Sequence, residues 1–396
     1  MALLLLGSLF SAPASASAAL AGPTCAWPEE VGAEAENVAL PDTNARYWVM
    51  PIKANLGRQI TVTGVFPDAR YFSFAVYDGY KGTFTSNGVS SARADYEIAP
   101  DPGSVNPWQV PAVAGGTYTL QLRRSVAPGD TNVLPLAPEG SPNGALGSLV
   151  YRIYLPTGGP SAPVVLPTLT ITDGGQSQTL PPCSTRHAPA AQAAPAGSSA
   201  ARIPVPDLTF VRPTGNDQLF PNPDSGYLST WVTPPGEKNV VVVRGRAAAS
   251  PDQPHPHPWP QRGDDMRYWS LCTNLRVPDY PVVVNDLPDG NTDPGCRHDD
   301  VTSLDLGGNY TFVIGTEAQR ARIEAVGGMT FVPFSLTSPR ARHLVLLRNM
   351  MPVPGFGKSV LDVPPDGLPA TAEAVMGDYY PRARICPLST LDSCAR

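Results

Sequence analysis

Alternation of polar and apolar residues is the dominant pattern along this chain. Residues 59–64, Gln-Ile-Thr-Val-Thr-Gly, place β-branched side chains on one face and polar ones on the other. That two-residue period predicts a half-buried strand. Phe66-Pro67-Asp68 makes a turn, and 68–77 follows as Asp-Ala-Arg-Tyr-Phe-Ser-Phe-Ala-Val-Tyr. Extended, this stretch puts Phe72, Phe74 and Val76 on one face and Tyr71, Ser73, Ala75 and Tyr77 on the other. Two more strands are predicted at 116–122 and 149–155, the second ended by Pro156.

The same order then recurs. Residues 239–245 match 59–64 and also end in Gly; 265–274, Asp-Met-Arg-Tyr-Trp-Ser-Leu-Cys-Thr-Asn, match 68–77 with Arg267 on Arg70. Residues 308–314 match 116–122, and 346–352 match the strand ending at Pro156, Arg348 falling on Arg152 and Pro352 on Pro156. Four matched strands at similar spacing predict a duplicated domain. Helix is predicted only at 369–376 and near 317–325. The expected fold is all-β: two tandem antiparallel β-sandwich, jelly-roll-like domains, at 22–183 and 207–396. Between them, 184–206 is an Ala/Pro/Ser-rich linker. One spacing breaks the symmetry. Six residues separate Gly64 from Arg70, but 22 separate Gly245 from Arg267, an insertion of 16 residues within 248–265. Long loops on rigid scaffolds often carry function.

Composition narrows the setting. Charged residues make up only 16% of the 396, net charge is −6, and Pro (47) and Gly (36) are abundant. Many turns and few long helices follow, and no basic run offers a footprint for nucleic acid. Residues 1–21 read as a secretion signal: an apolar run over 2–10, then small residues ending in Ala19-Leu20-Ala21. No positive charge precedes the run, which suggests a true start upstream of Met1. No other stretch approaches the ~18–20 apolar residues of a membrane span. The acidic segment 23–38 reads as a solvated lead-in. Six cysteines fit export, and position suggests Cys25–Cys183, Cys272–Cys296 and Cys386–Cys394, the last closing a C-terminal tail, among fifteen connectivities.

Tyr71-Phe72-Ser73-Phe74 through Tyr77-Asp78, and Arg152-Ile-Tyr-Leu-Pro156, resemble the signatures of a bacterial family of antiparallel sandwich domains of unknown function. Trp269-Ser270-Leu271 and 348–352 are a more degraded match. The resemblance covers roughly 45–160 and 225–355, and it implies a fold but no activity.

Two groups of residues could carry chemistry. His255-x-His257 in the insertion, with Asp264 and Asp265, could meet His298, Asp299 and Asp300 if both loops lie at one end of the sandwich. Imidazole and carboxylate together suit a divalent metal or an acid/base site, so His255, His257, His298 and Asp299 are candidate ligands. A Cys272–Cys296 bond would oppose this by drawing the second loop down the strand. No nucleotide or other cofactor motif is present, nor a Gly-x-Ser-x-Gly elbow. The second group is aromatic: Tyr80, Tyr96 and Trp108 could form a platform for a sugar or another flat ligand. Arg70 and Arg267 either reach out at the strand ends or make buried pairs. Two functions fit. One is a secreted protein that binds an extracellular small molecule, a polysaccharide or a surface at its loop ends or between its domains. The other is a secreted hydrolase working through the His/Asp loops.

Overall fold

A computed structural model describes residues 23–79, 82–184, 205–214, 221–252, 254–277 and 280–396. The expected signal at 1–21, nearly all of the linker, and Tyr80 lie outside the described residues. The fold is all-β and sandwich-like. Among the described residues, no helix is long and apolar enough to cross a membrane.

Four main sheets form two face-to-face pairs. The first sheet runs Glu29–Gly32, Ala45–Ala54, Ala145–Pro156, Ala69–Asp78, Ala92–Ala94, and the third runs Ser225–Val232, His343–Pro352, Met266–Leu275, Cys296–His298. In both, the long strand that ends in proline sits centrally. Registers agree as well. Arg152 lies opposite Ser73 and Arg348 opposite Ser270, while Pro156 lies opposite Ala69 and Pro352 opposite Met266. Leu155 and Met351, just before those prolines, both have left-handed backbones, with φ of 46° and 50°.

The second and fourth sheets cover these. In the second, Gln59–Val65 pairs with Thr117–Arg123; in the fourth, Asn239–Arg246 pairs with Asn309–Gly315. A Cβ on Gly64 would come within 2.5 Å of the Tyr118 hydroxyl, and one on Gly245 within 2.5 Å of the Tyr310 hydroxyl. Glycine is required at both places because a ring crosses directly over the backbone. Phe72, Phe74, Val76, Tyr118 and Tyr151 fill one core. Trp269, Leu271, Tyr310, Phe312 and Leu347 fill the other.

The helices form at Glu317–Glu324 and Pro369–Met376, the latter starting with proline in its first turn. The disulfides are Cys25–Cys183, Cys272–Cys296 and Cys386–Cys394. Three disulfides fit an oxidising environment. The segment expected to be a solvated lead-in behaves otherwise. Glu29–Gly32 pairs with the strand Ala45–Ala54, and Ala26 and Trp27 are buried. Charge density misleads here because Glu30 is held by Arg46 at 2.6 Å.

Candidate functional site at the seam between the sheets

The first and third sheets turn their outer faces toward each other. Tyr71, Ala45 and Tyr154 from one side pack with Tyr268, Met350 and Met351 from the other. This explains why strands Ala69–Asp78 and Met266–Leu275 are buried on both faces.

Charge crosses the seam reciprocally. Arg70 reaches Asp299 at 2.8 Å and also bonds Asp300, while Arg267 reaches back to Asp95 at 3.2 Å. Asp95 heads the 3-10 turn Asp95–Glu97, and Asp299 heads the corresponding turn Asp299–Val301. The tyrosines beside the two arginines repeat the exchange. Tyr71 donates to Asp224 at 2.6 Å, and Tyr268 donates to Asp42 at 2.8 Å. Asp42 also accepts from Ser270 at 2.7 Å and from Arg348.

Burial governs the ionisation of these groups. It pushes Asp95 up to about 7 against the opposing pull of Arg267, and Asp299 up to about 7 against that of Arg70. Burial lowers Arg267 more than Asp95 can restore it. Asp42 is the exception. Burial raises it, but Arg348 and bonds from Asn44, Ser270 and Tyr268 outweigh that and hold it below its ordinary value.

Residues 37–44 form a strap across the seam. Asn37 exchanges two hydrogen bonds of 2.8 Å with the backbone of Val282. Ala39 and Leu40 are consecutive left-handed residues, φ 64° and 59°. Neither is glycine, so the strap holds local strain that its anchors must offset. Under it lies a cavity of about 60 Å³, walled by Val31, Val38, Leu40, Val49 and Val150, with Tyr47, Tyr154, Tyr227, Arg152 and Arg348 supplying polar groups. Tyr47 lies opposite Arg152 in its sheet, and Tyr227 lies opposite Arg348 in the other. The cavity therefore draws on equivalent positions of both sheets. The Arg348 guanidinium sits 5.1 Å from the Tyr227 ring centre.

The anticipated site residues fare unevenly. His298, Asp299 and Asp300 meet, their ligand atoms within 4.8 Å of one another, but Arg70 occupies both carboxylates. His255 is not part of that group; its Nδ1 lies 2.8 Å from Asp68. His257 Nε2 faces Asp264 at 3.7 Å, and burial followed by the charge of Arg267 lowers the imidazole to about 4. Residues Cys272 and Cys296 stand directly opposite, which draws 296–298 onto the strand as a sheet edge. Of the aromatic platform, Trp108 is corrected. Trp108 is fully buried against Phe66 and Phe72, its indole donating to the Arg70 carbonyl at 3.1 Å, and Tyr96 is half-buried. A tryptophan near loops reads as exposed, but this one closes the end of a core. His343 is a buried structural residue, its Nε2 accepting from Ser335 N–H at 3.1 Å. The insertion serves the seam too: Trp259 lays its ring 4.4 Å from the Arg267 guanidinium.

Sequence reasoning missed Asp42, Asp95, Asp224 and Tyr227. The one available signal was the repeat of Arg70 and Arg152 as Arg267 and Arg348, because a repeated buried cation requires partners.

No family model matches the chain, and no curated protein matches it. Among solved structures, an uncharacterized protein from Burkholderia cenocepacia is similar at a TM-score of 0.50 and 12% identity, over 90% of this chain and 80% of that one. The VPA0106 protein from Vibrio parahaemolyticus aligns with a TM-score of 0.40 and 12% identity, over 87% and 89%. The likeness to the Burkholderia protein is one of fold.

Proposed function

We propose that this is a secreted protein built from two copies of one sandwich domain, which holds a small extracellular ligand in the cavity at their seam. The observation that carries this reading is the cavity itself. Equivalent residues of both sheets, Tyr47 with Tyr227 and Arg152 with Arg348, converge on it, and a strained strap covers it. Small-molecule sites are typically concave and mostly apolar, with few polar groups that fix orientation, and they favour domain boundaries. The disulfides fit an extracellular setting, as does the apolar, small-residue signal pattern of residues 1–21.

The test is a ligand-observed NMR screen with sugars, carboxylates, amines and amides. It compares the wild-type protein with Val38→Phe, which enlarges a side chain in the cavity wall. Binders whose signal disappears in the variant support the reading. A screen in which every binder is indifferent to Val38→Phe refutes it.

The hydrolase alternative keeps one observation in its favour. His257 Nε2 and Asp264 Oδ2 are buried 3.7 Å apart, each without a hydrogen-bond partner among the described residues. That arrangement sets an imidazole base beside a carboxylate. Loss of a measured hydrolysis in His257→Gln would favour it over the binding role.

A further inference from the structure

We propose that the seam cavity takes a short aliphatic carboxylic acid, its carboxylate held by Arg348 and Tyr227. This rests on the reading of the cavity as a ligand site and names the chemistry it selects. Arg348 is 2% exposed. Its Nη1 meets the Asp42 carboxylate and Nη2 donates to the Leu40 carbonyl at 3.3 Å, but Nε has no partner among the described residues. A buried donor left unmet costs roughly 1–3 kcal/mol. The Tyr227 hydroxyl, in the same wall, also has no hydrogen bond among the described residues, and its ring lies 5.1 Å from the guanidinium.

Among the described residues, the wall of the cavity holds two guanidiniums, Arg152 and Arg348, and no carboxylate, which favours an anion. A carboxylate carries two acceptors on one carbon, so it can face a guanidinium and accept from the Tyr227 phenol at once. An amine would meet a cation. A sugar would press its outer hydroxyls against Val31, Val38, Val49 and Val150, where they would find no partner. Those valines instead suit a short hydrocarbon chain. At about 60 Å³ the cavity is well below the ~300–1,000 Å³ of drug-sized sites, which restricts the acid to a few carbons.

Isothermal titration calorimetry on the purified, oxidised full chain tests this with butyrate and its neutral isostere butyramide, in wild type, Tyr227→Phe and Val38→Phe. Butyrate is expected to bind wild type at least roughly tenfold more tightly than butyramide, since bonds to a charged acceptor are the stronger ones. Tyr227→Phe keeps the ring over Arg348 and should weaken butyrate roughly tenfold; Val38→Phe should abolish binding. Equal, Val38-dependent binding of butyramide overturns the carboxylate assignment and leaves the ligand site standing. Absence of butyrate binding, while other compounds are still displaced by Val38→Phe, has the same meaning. If no compound of any class depends on Val38, both proposals fall. Butyrate binding that survives both substitutions lies elsewhere and overturns the assignment.

Discussion

The seam carboxylates make a prediction whose sign runs against the usual view of buried ion pairs. Asp95 is completely buried, and burial raises it from 3.8 to about 7 although Arg267 lies 3.2 Å away. Between those values the folded protein keeps a proton that the unfolded chain has released. Stability therefore falls as pH rises, by at most about 1.4 kcal/mol per pH unit for one group. Over about three units this is about 4 kcal/mol, present in full below the unfolded value and lost as pH passes through 7. A neutral amide at this position would stand in for the protonated acid. Asp95→Asn should match wild type within about 1 kcal/mol near pH 4.5 and exceed it by up to about 4 kcal/mol at pH 8. The assay is urea denaturation from pH 4.5 to 8 with the disulfides intact, read as the difference between variant and wild type. The difference is the informative quantity, because His257 and His343, both lowered to about 4 chiefly by burial, contribute the opposite slope between about 4 and 6.5 in both proteins. The competing view holds that Arg267–Asp95 is worth more than its desolvation. On that view Asp95→Asn strands a cation and loses about 3–5 kcal/mol at pH 8. A variant less stable than wild type at pH 8 would refute the reasoning.

Three other outcomes are expected. Trp108→Ala should cost about 3–5 kcal/mol in urea denaturation, as for a core aromatic, whereas Tyr96→Ala, half-buried, should cost clearly less; a neutral Trp108→Ala would restore the exposed platform. Replacing Cys25 and Cys183 by Ala frees a loop of 158 residues and should lower stability by about 5 kcal/mol, against about 2.5 for the Cys386–Cys394 pair, whose separation is 8. Equal losses would mean that native-state strain, not chain entropy, sets the effect. Zinc titration should leave the melting temperature unchanged, because Arg70 already holds Asp299 and Asp300; a shift of several degrees that vanishes in the His255→Ala, His257→Ala double variant would revive the metal site.

Strand periodicity was legible because its cause is local. Extended backbone alternates its side chains, so Phe72-Ser73-Phe74-Ala75-Val76 announces a core face wherever it folds. Arg70 and Arg267 are each the second residue of a strand, Ala69–Asp78 and Met266–Leu275, that pairs with a strand ending in proline. The candidate site was less legible. His298 and Asp299 come together through a turn of consecutive residues, whereas His255 and His257 alternate along an extended insertion and turn to separate carboxylates, Asp68 and Asp264. Trp108 was misjudged because its burial depends on Phe66 and Phe72, more than thirty residues away.

The sequence by itself determined the all-β class, the order of the core strands and their faces. These follow from neighbours two to ten residues apart. The tertiary structure alone decided what the outer faces do. Tyr71, Ser73, Ala75 and Tyr77 look like the solvent side of an alternating strand, yet all four are buried. Their partners Asp224 and Pro221 lie 153 and 144 residues away, and Arg70 finds Asp299 at 229. Docking one sheet on another brings such groups within bonding distance through shape and desolvation summed over the whole face. No local pattern encodes that sum, which is why the strap, the reciprocal ion pairs and the cavity beneath them appear only in three dimensions.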